Sequence, residues 1–277
     1  MSKALEIDSD HPAANAYLAW DTMLVNGDYI NAAEQFERAL GIDPYDWEVL
    51  RGNILFASII GRTDIADVLG RIAITRNPLC GPCHRHVSRS LFRAGLFDLA
   101  EISLLNVMDL LPPGRSTTEL ALIRYMKGDH DGLQRVASDY LARARPEDQD
   151  IAIVRHIELL GAVLRGETGG LQVEIDEFAH RWGDRHLRSC AELYAETGQL
   201  DKAFELFERG YGTQYNSDLA AGLMNPLFRK MTEDPRWKAW QEKAGIAPHQ
   251  LAVIEYQPNL PPAEGLVKLK PGDLASE

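Results

Sequence analysis

No stretch of this chain comes near the roughly 18 to 20 consecutive apolar residues that a bilayer-spanning helix needs, so its 277 residues are expected to fold in water. The opening MSKALEIDSD has neither a basic start nor an apolar core of the signal-peptide kind, which makes the cytoplasm the expected location. Cysteine is scarce. Three residues, an odd number with no export signal, do not make a disulfide framework, and reduced thiols are the expectation. Lys and Arg number 29 against 41 Asp and Glu, and the net charge of −12 argues against nucleic acid or an anionic membrane as a direct partner, since both need a basic footprint. No set of nucleophile, base and orienting group can be assembled from the sequence, nor a metal motif of standard spacing. The chain is therefore expected to be no enzyme and to carry no cofactor.

What the sequence does have is a period. Pro44, Pro78, Pro112 and Pro146 stand 34 residues apart, and Gly27, Gly61 and Gly95 keep the same step 17 places out of phase. A fixed period of this length marks one supersecondary unit per repeat, each too small to bury its own apolar face, so that stacked neighbours supply the core. In the first unit Gly27, Tyr29, Ala32, Phe36, Ala39 and Pro44 give each position a physical reason. Gly27 ends a helix where a left-handed residue costs little. Ala32 and Ala39 let helices approach closely, Phe36 fills the same face one turn on, and Pro44 separates two helices. Gly61, Ala66, Ala73 and Pro78 repeat the pattern, with Thr63 and Gly70 where the aromatics stood, and a tighter or a weaker contact is expected there. Gly95, Phe97, Ala100, Leu104, Val107 and Pro112 make the third unit.

These units resemble the second half of a tetratricopeptide (TPR) repeat. The resemblance implies an all-α fold, an α-solenoid of helix-turn-helix repeats in a right-handed superhelix with C-terminal capping helices. About six repeats are expected over residues 1–211, irregular after 146, with units near 149–182 and 185–211, capping helices over 212–246, and a Pro-containing tail or extended strap over 247–277. Trp237, Trp240 and Ile246 are expected to cover the last apolar face. The segments Asn225-Pro226-Leu227-Phe228, Asp234-Pro235-Arg236-Trp237 and Ala244-Gly245-Ile246 are similar to those closing TPR arrays in a bacterial group. There the arrays follow an adenylate cyclase or a winged-helix DNA-binding domain. Neither output domain is present, so that likeness implies a regulatory or sensory array acting with a separate cyclase or transcription regulator.

Two constellations carry chemistry. From Val68 to Phe97 there is no Asp or Glu, yet Arg71, Arg76, Arg85, Arg89 and Arg93 are present, and the last three recur every four residues on one helical face. Val87, Ser88, Leu91 and Ala94 form the neighbouring face that packs. The TPR resemblance implies that this ladder faces a concave groove, with Arg51 at the matching place one unit earlier. Guanidinium forks suit carboxylates, so Arg51, Arg85, Arg89 and Arg93 are the expected sites for a protein or peptide partner, an acidic segment above all. The other readings of the ladder are a solvated face and an intramolecular role toward the acidic tail or another helix. Cys80-Gly81-Pro82-Cys83-His84 fits both a haem-attachment pattern and a thioredoxin-like redox pattern, and each lacks its context. A redox or metal-responsive role through Cys80, Cys83 and His84 is the alternative. His86 adds little as a fourth ligand, because two helical residues two apart diverge by about 200°.

Overall fold

The computed structural model describes residues 2–211, 225–262 and 264–267, with side chains from Leu5 onward. The start of the expected capping segment, 212–224, and the end of the tail lie outside the described residues. Among the described residues every regular element is helical: α1 (Ser2–Ile7), α2 (Pro12–Leu24), α3 (Tyr29–Ile42), α4 (Trp47–Ile59), α5 (Thr63–Arg76), α6 (Gly81–Arg93), α7 (Phe97–Leu105), α8 (Arg115–Met126), α9 (His130–Arg143), α10 (Ile151–Leu164), α11 (Leu171–Trp182), α12 (Leu187–Glu196), α13 (Leu200–Gly210), α14 (Pro235–Lys243) and α15 (Pro248–Leu251). Short 3-10 turns occupy Met108–Leu110, Pro146–Asp148 and Pro226–Met231.

From α2 to α13 the helices pack in adjacent pairs, and the pairing follows the sequence period. α4, α6 and α8 start at Trp47, Gly81 and Arg115, one 34-residue step apart, and α3, α5 and α7 start at Tyr29, Thr63 and Phe97 with the same step. Gly27, Gly61 and Gly95 adopt φ of 67°, 79° and 76° between the two helices of their pairs, where a side chain would be strained. Gly128, one residue early, has φ 70° and makes the same turn. Asp28, Asp46, Asp129 and Asp150 cap α3, α4, α9 and α10 by accepting backbone N–H groups, which satisfies donors that have no partner inside the helix. Ala32, Phe36, Ala39, Ala66, Ala73, Ala100, Leu104, Ala203 and Phe207 are all buried. At Gly70 the tighter of the two alternatives holds, since a Cβ there would lie 2.8 Å from Val87 Cγ2.

The chain divides into two compact units, residues 1–110 with 238–277, and residues 111–237. In the second unit Trp237 packs 6.0 Å from Phe207 and 6.4 Å from Phe228, ring centre to ring centre, and covers the end of the α12–α13 pair. Ile246 and Trp240, by contrast, belong to the first unit, and their segment returns to its opening pair. A Cβ on Gly245 would stand 3.4 Å from the Gly27 carbonyl oxygen and 3.7 Å from the Tyr29 ring. After α15 the chain runs extended along the first unit. Tyr256 is buried, its hydroxyl donates to Asn53 Oδ1 at 2.6 Å, and its ring lies 4.9 Å from Phe56.

Candidate functional site

α2, α4 and α6, the first helices of three successive pairs, pack side by side. Arg51, on the second turn of α4, donates through Nε to Glu48 Oε2 at 2.9 Å and through Nη2 to the same oxygen. Its guanidinium carbon lies 4.9 Å from the Trp20 ring centre, 5.5 Å from Trp47 and 5.9 Å from Tyr17. Cation–π attraction and the ion pair therefore fix this side chain in one place. Tyr17 closes the arrangement by donating to Glu48 Oε1 at 2.7 Å, and that bond to a carboxylate holds its hydroxyl pKa above the usual value.

One residue along from Arg85, His86 is 3% exposed and sits edge-on to Trp20 at 6.2 Å. Neither ring nitrogen has a hydrogen-bond partner. Burial holds its pKa well below 6.5, and Arg89, Arg85, Arg51 and Arg93 add to the shift by repulsion. His86 is thus a neutral imidazole inside the field of four guanidiniums. Arg51 and the three arginines of α6 lie on adjacent packed helices, close enough to act on His86, a residue that sequence reasoning had set aside. Its signal was there: a lone histidine between Arg85 and Arg89 on an acid-free helix.

The ladder is not a fully solvated face. Arg85, Arg89 and Arg93 are half-buried, and none of the three is without a partner. The neighbouring face packs as expected through Val87, Ser88 and Leu91, whereas Ala94 is the exposed C-cap of α6. Two other arginines of the acid-free stretch are committed elsewhere: Arg76 stacks 4.1 Å from the Tyr45 ring, and Arg71 donates to the Val267 carbonyl at 2.9 Å.

The expectation of reduced thiols is corrected at Cys80 and Cys83, which form a disulfide. Cys80 is the N-cap of α6 and Cys83 its third residue, so one helical turn brings the two Cα atoms to 5.2 Å, within the range a disulfide spans. Cys80 Sγ also accepts the Cys83 N–H at 3.2 Å. While the bond stands the pair offers no thiolate to a metal. His84 Nε2 lies 3.0 Å from the Pro78 carbonyl and Nδ1 3.5 Å from Ser103 Oγ, so its ring is engaged with its own surroundings. Burial lowers the His84 pKa. Cys190 is buried and free, and burial pushes its thiol up to about 12.

A second polar cluster, in the other unit, escaped the sequence reading. Along α12, Arg188, Glu192 and Glu196 recur every four residues. Glu192 is buried and accepts from Arg188 Nε and from Asn225 Nδ2, both at 2.7 Å, while His156 Nε2 lies 3.5 Å from its other oxygen. Glu196 accepts from the Tyr125 hydroxyl at 2.7 Å and pairs with Lys230 at 3.8 Å. The 3-10 turn Pro226–Met231 and the residue before it thus cover this acidic row with a side-chain amide and cations. No protein-family profile matches this chain, and no curated protein is significantly similar to it.

Proposed function

We propose that the chain is a non-enzymatic interaction module of the TPR type, whose first helices bind an acidic segment of a protein or peptide partner in the cytoplasm. The observation that carries the reading is the packing of α4 beside α6, which sets Arg51 and the half-buried row Arg85, Arg89 and Arg93 on adjacent first helices, with His86 buried on the same helix as the row. Arg51 already shares Glu48 and the other three arginines keep partners of their own, so a ligand carboxylate binds by exchanging into this basic face, where guanidinium forks hold it in bidentate fashion. The aromatic shelf of Tyr17 and Trp47, 37% and 42% exposed, supplies apolar contact beside the charge. The TPR assignment is supported by the shared 34-residue step of the helix starts and by the left-handed glycines.

The experiment measures binding of a fluorescent decapeptide of alternating Glu and Asp to the full chain. The Gln/Asn counterpart peptide serves as control. Micromolar binding of the acidic peptide alone, lost in Arg89→Gln, is expected. Equal binding of both peptides overturns the reading.

A redox-responsive role is the second reading, favoured by the disulfide at the head of the same helix. Two-electron reduction by a dithiol breaks the S–S bond, leaves two protonated or thiolate cysteines, and releases the reductant as its own disulfide. Repeating the peptide titration with dithiothreitol separates the two readings. Affinity that changes on reduction in the wild type but not in Cys80→Ser/Cys83→Ser supports redox control.

A further inference from the structure

The extended segment after α15 lies on the first unit as a bound peptide would. Ile254, Tyr256, Pro258 and Leu260 turn inward or are partly covered, whereas Val253, Glu255, Gln257 and Asn259 are exposed, the period-two alternation of an extended ligand. Tyr256 is the anchor, 1% exposed, with its phenol satisfied by Asn53 and its ring edge-on to Phe56. The backbone is gripped as well. The Gln257 N–H donates to Glu37, Arg62 donates to the Tyr256 carbonyl at 2.9 Å, and Val267 exchanges hydrogen bonds with Thr75 Oγ1 at 3.0 Å and Arg71 Nε at 2.9 Å. Main-chain bonds with pockets for alternate side chains are how receptors read extended peptides.

The geometry points to a peptide-recognition groove formed by α3, α4 and α5, which this chain fills with its own strap. Its ligand in trans is an extended segment of the pattern apolar-x-Tyr-x-Pro. This groove is separate from the arginine cluster. Asn53 is two residues from Arg51 on α4 and so points about 200° away from it. Tethering gives the strap an effective concentration on the order of millimolar, so a free ligand competes with a cis ligand already in place, and occupancy in trans depends on weakening the strap.

The test uses the full chain and a fluorescent peptide of residues 252–262, AVIEYQPNLPP. Tyr256→Ala is expected to bind it at least tenfold more tightly than wild type does, the Tyr-to-Ala version of the peptide is expected not to bind, and Arg89→Gln introduced beside Tyr256→Ala is expected to change nothing. Absence of binding to a folded Tyr256→Ala chain overturns the proposal. Should that variant lose its helical spectrum, hydrogen exchange on the wild type decides instead. The amides of Gln257 and Val267 must exchange by local opening, well before those of α3 and α5; exchange only with global unfolding overturns the groove. A wild-type dimer that grows with concentration and vanishes in Tyr256→Ala overturns the partner in trans in favour of a strap exchanged between two copies.

Discussion

Gly52 and Trp20 meet with no side chain between them: a Cβ on Gly52 would lie 2.7 Å from the indole Nε1 and 2.7 Å from Phe36 Cε1. Both obstacles are rigid rings in packed surroundings, and Phe36 is fully buried. In an open helix Gly→Ala would gain about 1 kcal/mol. At Gly52 the clash outweighs that gain, and Gly52→Ala is expected to lose about 1 to 3 kcal/mol and to displace Trp20 from beneath Arg51. Urea melts of the variant check the first effect, and the tryptophan emission spectrum checks the second. A melt unchanged or improved would contradict the close approach.

The cysteines are expected to label in three distinguishable steps. Native, unreduced protein should take up no alkylating agent, because Cys80 and Cys83 are joined and Cys190 is buried with its thiol pushed up to about 12. Reduction should add two labels, and denaturation the third. Two labels without reductant would mean that the pair is an open dithiol.

Much of the helical pairing was legible because it repeats. Glycine and proline fix where helices end by local sterics, so a 34-residue step in those residues becomes the same step in the helix starts of α3 to α8. The arginine cluster was legible for the same reason, since Arg51 and Arg85 occupy one repeat position. The burial of His86 was not, because a histidine carries no periodic signal and its surroundings come from two other helices. At Cys80-Gly81-Pro82-Cys83 the expectation of reduced thiols failed, because the spacing alone suits both thiols and disulfide. Least legible was the strap: Tyr256 and Asn53 are 203 positions apart, and no local pattern encodes such a pairing.

Electrostatic binding at the arginine cluster has a salt signature. Screening shortens the reach of exposed charges to about 8 Å at 0.15 M ionic strength, so affinity for the acidic decapeptide should fall steadily between 0.05 and 0.5 M added salt. Arg85, Arg89 and Arg93 are half-buried, so reversing all three to Glu is expected to unsettle the fold. Single Arg→Gln changes are the informative ones. Arg85→Gln and Arg89→Gln should each weaken binding and flatten the salt dependence, and a salt-independent affinity would remove the cluster from the binding site.

Stability should also depend on pH through His156. Its ring is buried, stacked 6.2 Å from Phe178, and burial pushes its pKa down to about 3, with the charges of Arg188 and His186 adding to the shift. An unfolded histidine titrates near 6.5, so below that pH the unfolded chain takes up a proton that the native chain refuses. The contribution is therefore complete above about 6.5 and drains by roughly 1.4 kcal/mol per pH unit as the pH falls toward about 3. Glu192, beside it, works in the opposite sense. Burial raises its carboxyl pKa against the pull of Arg188 and Asn225, so the native state takes up that proton before the unfolded chain does and offsets part of the loss from above the ordinary carboxylate range downward. The window from pH 7 to 5 spans the onset of the histidine's contribution. Urea midpoints of the wild type should fall across that window, and His156→Phe, which keeps a ring against Phe178 but cannot titrate, should show a slope shallower by about one proton. Parallel slopes for the two proteins would show that His156 is not held neutral.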